Sequence, residues 1–321
     1  MKLIHPRFPV AIPAVISVIV GALTSVQARM NGELSDSMGN SLGAASWSFT
    51  SGLLVMCVVL VFSARVRSGV ARVPSLIRSG ALRWWQVLGG ILGGFFVAVQ
   101  AGTVPLVGVA VFTIAVVAGQ SSTSLVVDRL GLGPAGVQPI TVRRVISACI
   151  AVIAVWLAVG QRLGDGSIPV LPVVLAFIAG LTFSVQAAYN GRVSVSTGVP
   201  LSATFYNFIF GWVVLGAALG LGWVVLGNGV SGFLGAPWWA YLGGFIGIAF
   251  ITISALTVPL VGVLLFALLS ISGQLIGSMA LDIFAPVAGS SVTVGLVLGV
   301  LLAFVSVAVA ASNRIRPLGA Q

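Results

Sequence analysis

Amide, hydroxyl and carboxyl side chains recur at helical spacing inside otherwise apolar runs. Gln27 and Asn31 are four residues apart, and so are Gln186 and Asn190. Residues i and i+4 share one helix face, so each pair sets two amides side by side. Amides both donate and accept hydrogen bonds, which suits a polar or zwitterionic solute. The same chemistry also serves as glue between helices, by bonding neighbouring backbone carbonyls. Both readings stay open at this point. A second pattern runs Gln120, Ser124, Asp128 and returns as Gln274, Ser278, Asp282. Each triplet makes one polar stripe on an apolar helix. Ser121, Ser122 and Thr123 widen the first stripe. Polar side chains in hydrocarbon turn toward the bundle interior or an aqueous cavity, so the stripes are expected to line one. Asp128 and Asp282 sit at helix ends and are candidates for ion coupling. The plainer alternative is a hydrated interfacial charge, with Asp128 paired to Arg129 or another nearby Arg.

Other reactive chemistry has little to work with. The single histidine, His5, precedes the first apolar run. There is no His/Cys/Asp cluster and no nucleophile beside a base. No catalytic residue, metal or cofactor is expected. Cys57 and Cys149 lie inside apolar runs without a CxxC spacing and read as packing thiols.

The elements that must hold these groups follow from composition. Of 321 residues, 59% are apolar and 6% charged, and mean hydropathy is +1.18. A soluble chain carries about 25% charged residues, so ordinary soluble enzymes and disordered chains are excluded. The net charge of +10 might suggest nucleic acid, but the basic residues fill gaps between apolar runs. That is the positive-inside bias of a membrane protein, and no nucleic-acid partner is expected. Ten apolar runs are long enough to span, at about 10–30, 42–62, 84–103, 105–127, 143–161, 169–189, 201–225, 238–256, 258–281 and 291–312. Backbone groups must be satisfied within each span, so all ten are read as helices. The alternating segments of a β-barrel are absent. The fold expected is an all-α polytopic membrane protein.

Orientation follows from the cations. With the N-terminus inside, Lys2, Arg7, Arg65, Arg67, Arg72, Arg78, Arg83, Arg129, Arg143, Arg144, Arg192, Arg314 and Arg316 are cytoplasmic, and Arg29 and Arg162 are external. The partition of 13 against 2 predicts that both termini are cytoplasmic. Lys2, Arg7 and a Val26-Gln27-Ala28 triplet mimic a cleavable signal. The same segment recurs in mid-chain, so the first run is read as a retained helix.

The recurrence is extensive. A shift of 159 aligns Gly21, Gln27, Asn31 and Gly32 with Gly180, Gln186, Asn190 and Gly191. A shift of 154 superposes Thr103–Val109 on Thr257–Val263, with all seven residues identical. It also aligns Trp84-Trp85 with Trp238-Trp239, which read as interfacial anchors. Gly89-x3-Gly93, Gly90-x3-Gly94 and Gly243-x3-Gly247 are small-residue stripes that let helices approach closely. Pro105 and Pro259 are placed in the first turn of each fourth helix, where proline is tolerated. Each half, 1–165 and 166–321, then holds five spans. An odd number turns the second half over, giving a 5+5 inverted-topology repeat. The loop after the second helix carries five Arg in the first half, and its counterpart at about 222–237 carries none. Inversion places Gln27, Asn31 and Asp282 near the external face and Gln186, Asn190 and Asp128 near the cytoplasmic face, as paired gates.

Five-plus-five inverted spans with G-x5-Q-x3-N at the end of each first helix resemble the drug/metabolite transporter superfamily. Within it, the chain is similar to the YdcZ-like inner-membrane exporters, as a fused pair of five-helix units. The resemblance covers almost the whole chain. It implies ten helices around a central substrate cavity, in the bacterial cytoplasmic membrane, and leaves the ligand open. Small multidrug relatives use a membrane-embedded Glu in the first helix, and this first span has no acid. The function expected is secondary-active export of a small organic metabolite or drug-like compound by alternating access. A lipid or isoprenoid-type carrier and a non-transporting membrane scaffold are the rival readings. Expected partners are membrane lipids and a small-molecule substrate, with a homo-oligomer left open.

Overall fold

The structure is a computed structural model that describes residues 11–164, 169–227, 229–285 and 292–311. Lys2, His5, Arg7, Arg314 and Arg316 lie outside the described residues. Among the described residues, every regular element is helical: α1 (Ala11–Met38), α2 (Ser41–Phe62), α3 (Ala64–Arg78), α4 (Gly89–Val107), α5 (Val109–Arg129), α6 (Val142–Gly164), α7 (Val170–Thr197), α8 (Pro200–Leu226), α9 (Gly243–Val261), α10 (Val263–Phe284) and α11 (Val294–Ala311). Short 3₁₀ turns, Trp84–Leu88 and Trp238–Leu242, lead into α4 and α9. Among the described residues, eight helices are long and apolar enough to cross a membrane. α6 and α11 are not among the eight, and they pack against each other. The protein is therefore a polytopic helical membrane protein.

Three boundaries differ from the sequence expectation, each for a physical reason. α1 does not stop near residue 30 but runs 28 residues to Met38. Hydropathy falls at Arg29, which ends the apolar run, but a helix ends only where its backbone geometry breaks. That break comes at Gly39, with φ +58°. Its counterpart in the sequence repeat, α7, is also 28 residues long. At 1.5 Å per residue each reaches about 42 Å, beyond the ~30 Å hydrocarbon core. The Gln and Asn pairs therefore lie inside these helices and not at their ends.

The second difference concerns proline. Pro105 and Pro259 sit in the last turns of α4 and α9, not in a first turn. The chain breaks instead at Gly108 and Gly262, at φ +86° and +83° with ψ near extended values. Only glycine adopts that backbone without strain. The third is α3, an amphipathic helix where a loop was expected. Ser63 caps it by accepting from the Val66 N–H. Val66, Gly69 and Val73 form its buried face.

Packing follows the sequence repeat. α1 lies along α10 and α5 along α7, while α4 crosses α7 and α8 and α9 crosses α1 and α2. A methyl group added at Gly21 would meet the Ser270 carbonyl oxygen at 2.1 Å, and one at Gly180 would meet that of Val116 at 2.1 Å. The second contact is the first after shifts of 159 and 154 residues. Gly90 against Asn207 O at 2.0 Å and Gly244 against Ser48 O at 2.3 Å obey the same relation. The glycine stripes thus bring backbones together at equivalent crossings in both halves.

Candidate functional site

A cleft of about 40 Å³ lies where α1, α2, α4, α7, α8 and α9 meet. Gln27 and Gln186 both line it, with Thr24 and Ser48 as the other polar groups. Gly93 and Gly247 make room for the amides. A methyl at Gly93 would stand 2.3 Å from Gln186 Nε2, and one at Gly247 would stand 3.2 Å from Gln27 Nε2. The remaining wall is largely aromatic. Phe96 and Phe183 have ring centroids 4.7 Å apart, Phe183 and Phe250 5.0 Å, and Phe49 and Phe208 5.2 Å. No charged side chain lines the cleft. Gln27 and Gln186 are only 7% and 4% exposed.

The two Gln residues therefore meet in one place and do not stand at opposite mouths. Both lie at mid-helix because α1 and α7 run on for more than two turns beyond them. The asparagines one turn further on do something else. Asn31 Nδ2 donates to Gln100 Oε1 at 2.8 Å, tying α1 to α4. Asn207 Nδ2 donates to Asn190 Oδ1 at 3.3 Å, tying α8 to α7. These are buried interhelical bonds next to the cleft.

The serine and glutamine stripes of α5 and α10 also lie away from the cleft lining. Gln120 and Ser124 are fully buried, and Gln274 and Ser278 nearly so. The backbone carbonyl of Gln120 accepts from Ser184 Oγ at 3.0 Å, and that of Gln274 accepts from Ser25 Oγ at 2.7 Å. Ser124 and Ser278 hydroxyls donate back to carbonyls of their own helices, Ser121 and Leu275, at 3.1 Å each. The stripes face the α5–α7 and α10–α1 contacts.

Asp128 and Asp282 are buried, not hydrated. Asp128 forms an ion pair with Arg144. Its Oδ1 also accepts from the backbone N–H of Val263 at 3.2 Å, the first residue of α10. A carboxylate at a helix N-terminus meets unsatisfied N–H groups and the positive end of the helix dipole. The partner is Arg144, while Arg129 points outward. Close by, Arg192 of α7 donates to the carbonyls of Gly131 and Leu132 at 2.7 and 3.1 Å. The α5–α6 loop is thereby fastened to both α7 and α10. Cys57 and Cys149 are free and exposed on the bundle exterior, so they are not packed thiols.

Sequence reasoning missed the aromatic wall, although its signal was present. Phe96 and Phe250 are related by the 154-residue shift, and Phe49 and Phe208 by the 159-residue shift. In a chain this apolar, a recurring Phe does not stand out as a recurring amide does.

Fold and cleft together define a multi-pass helical membrane protein with a small, uncharged internal site. A family model described as "Putative inner membrane exporter, YdcZ" matches residues 12–157 and again 171–309. The chain belongs to this family of inner-membrane exporters and is of the transporter class. No curated protein matches it. One solved structure, "Crystal structure of protein", is similar in fold at TM-score 0.58 and 16% identity, covering 94% of this chain and 96% of that one.

Proposed function

We propose that this chain is a secondary-active exporter of a small organic compound, built from two inverted five-helix repeats, 1–165 and 166–321. Gln27 and Gln186 hold the substrate between the halves. The observation that carries this reading is their meeting in one cleft with Phe96, Phe183, Phe208 and Phe250. Inverted repeats generate alternating access when one arrangement of helices is exchanged for its mirror arrangement about a fixed site. The contact pairs that repeat under the 159 and 154 shifts support that architecture. The 13-to-2 partition of cations supports cytoplasmic termini.

The lining sets the chemistry of the cargo. Amides and hydroxyls offer hydrogen bonds, and ring faces attract flat or cationic groups. With no formal charge in the wall, a carboxylate or phosphate would be left without a counter-ion, at high cost in a dry site. The site suits a compact ring-bearing solute that is neutral or carries a dispersed positive charge. A space of about 40 Å³ has room for only a few waters, less than an organic solute needs. Entry of cargo then requires the helices of one half to swing away. Asp128, with its ties to Arg144 and α10, and Asp282 in the second repeat are placed to couple that movement to an ion.

The test is a thermal-stability screen of purified protein against metabolites, amines and drugs, repeated on Gln27→Leu and Gln186→Leu. A hit that shifts the melting of the parent and of neither variant supports the site. Hits that shift all three equally overturn it.

A further inference from the structure

The five arginines between Arg65 and Arg83 have no acidic residue among them. In the structure they decorate α3 and the turn that follows it, and all five are exposed. Three are partly occupied: Arg67 donates to the carbonyls of Leu60 and Val61 at the end of α2, Arg78 Nε donates to the Pro74 carbonyl at 3.4 Å with its other guanidinium nitrogens left over, and Arg83 lies over the Trp85 ring at 5.7 Å. Arg65 and Arg72 are seven residues apart and share one flank of α3.

Beside Arg78, on the side of α3 turned away from Arg65 and Arg72, runs an apolar groove of about 550 Å³. Val73, Ile77 and Arg78 form its α3 wall, Trp84 and Val87 its far end, and Tyr206 and Phe210 its floor. Tyr206 and Phe210 are one turn apart on α8 and stack at 6.2 Å, and the Tyr206 hydroxyl donates to the Val70 carbonyl. α3 is thus pinned to α8 by its buried face, with the groove left open alongside. The matching segment of the second half, 229–236, contains no cation and closes over the end of α1 instead, with Ser231 N donating to Met38 O at 3.3 Å. There Phe233 packs edge-on against Trp47 and Tyr241, with ring centroids 5.0 and 5.5 Å away.

We propose that this groove is a binding site for one anionic phospholipid of the leaflet that α3 lies on. An acyl chain fills the apolar wall between Ile77 and Phe210, and the headgroup phosphate is held by Arg78, the cation that lines the groove. The charge complementarity is the deciding argument. An amphipathic helix with cations on its polar edge, lying beside an open apolar groove, matches a molecule that is anionic at one end and hydrocarbon at the other. Trp84, 62% exposed, stands at the level where indoles settle between headgroups and chains. The lipid is a fixed partner and not cargo, because the groove lies on the bundle exterior, away from the cleft.

The experiment is native mass spectrometry of the full chain taken from bilayers with equal amounts of dioleoyl phosphatidylglycerol and dioleoyl phosphatidylcholine. One phosphatidylglycerol retained per chain, in preference to phosphatidylcholine, is the expected result. Arg78→Gln should lower that retention about fivefold, at roughly the effect of one cation near a charged surface. Ile77→Trp fills the groove and keeps the cation, and it should also release the lipid. Equal retention of the two lipids, or retention unchanged in both variants, overturns the proposal. Displacement of the bound species by inorganic phosphate alone would overturn the acyl-chain part.

Discussion

Gln27 and Gln186 are 159 residues apart in sequence and line the same 40 Å³ cleft, each beside a glycine of the opposite half. Gln27 faces Gly247 on α9 and Gln186 faces Gly93 on α4. The site is thus made by exchange: each repeat supplies an amide and the other supplies the space for it. Replacing either amide by Leu keeps the volume and removes two donors and an acceptor. Each variant is expected to insert and melt within a few degrees of the parent. Each should lose about tenfold in substrate affinity, the worth of roughly one hydrogen bond in a dry site. Binding of a screened ligand to both variants checks it, and undiminished affinity would return the amides to a packing role.

The neighbouring asparagines should respond differently. Asn31→Leu leaves the Gln100 amide oxygen buried without its donor, and Asn190→Leu leaves the Asn207 amide nitrogen buried without its acceptor. An unsatisfied buried polar group costs about 1–3 kcal/mol. These variants are expected to melt several degrees lower, with ligand affinity little changed in whatever protein remains folded. Loss of affinity without loss of stability would place the asparagines in the cleft instead.

Much of this fold was legible because the bilayer imposes simple rules. Nine of the ten apolar runs begin within a few residues of the corresponding helix or of the 3₁₀ turn that leads into it, and the repeat fixed which side chains are equivalent. Three features were hidden. The extension of α1 past Arg29 was invisible to hydropathy, which reports the end of an apolar run and not the end of a helix. α3 was masked by its arginines, although Val66, Gly69, Val73 and Ile77 hold a helical apolar spacing. The polar stripe of α5 was legible as a stripe, but whether it faces a cavity or a neighbouring helix depends on rotation about the helix axis. That rotation is set by the close Gly119–Phe177 and Gly180–Val116 crossings, which only the assembled bundle shows.

Those crossings make the glycines sensitive by position. Gly90→Ala would force a methyl to within 2.0 Å of the Asn207 carbonyl oxygen, a backbone atom that cannot swing aside. Gly216 and Gly220, on the same kind of apolar helix, have nothing within 4 Å. Overpacking costs about 1–3 kcal/mol, whereas relief of glycine's helical penalty gains about 0.5–1 kcal/mol. Gly90→Ala and Gly244→Ala should lower the melting temperature, and Gly216→Ala should leave it equal or higher. Equal behaviour of all three would contradict the packing described for α4 and α9.

Asp128 joins three elements, since it caps α10 at Val263 and pairs with Arg144 just inside α6. Removing one member of a buried pair costs about 3–5 kcal/mol, because the remaining charge stays buried with less to offset its desolvation. Arg144→Ala is therefore expected to destabilise more than Asp128→Asn, which still offers an oxygen to the Val263 N–H. Combining the two should recover part of the loss. If Asp128 also couples an ion, Asp128→Asn will keep exchange of substrate across vesicles while losing accumulation driven by a pH gradient. Parent-like accumulation would leave Asp128 as a structural latch only.

The inverted architecture makes one prediction that needs no substrate. Ser75 lies on α3 among exposed arginines, and Val230 lies in the uncharged segment that covers the end of α1. The two segments follow equivalent helices, α2 and α8, in the two repeats. If the second repeat is upside down, they must face opposite sides of the membrane. Cations resist translocation, so the segment with Arg65, Arg67, Arg72, Arg78 and Arg83 should remain in the cytoplasm. Single cysteines placed at residues 75 and 230, in a chain with Cys57 and Cys149 replaced by Ser, should react with a membrane-impermeant maleimide from opposite sides. Residue 230 should label in intact cells and residue 75 only after lysis. Labelling of both from one side would remove the inverted repeat, and with it the equivalence of Gln27 and Gln186 on which the transport reading rests.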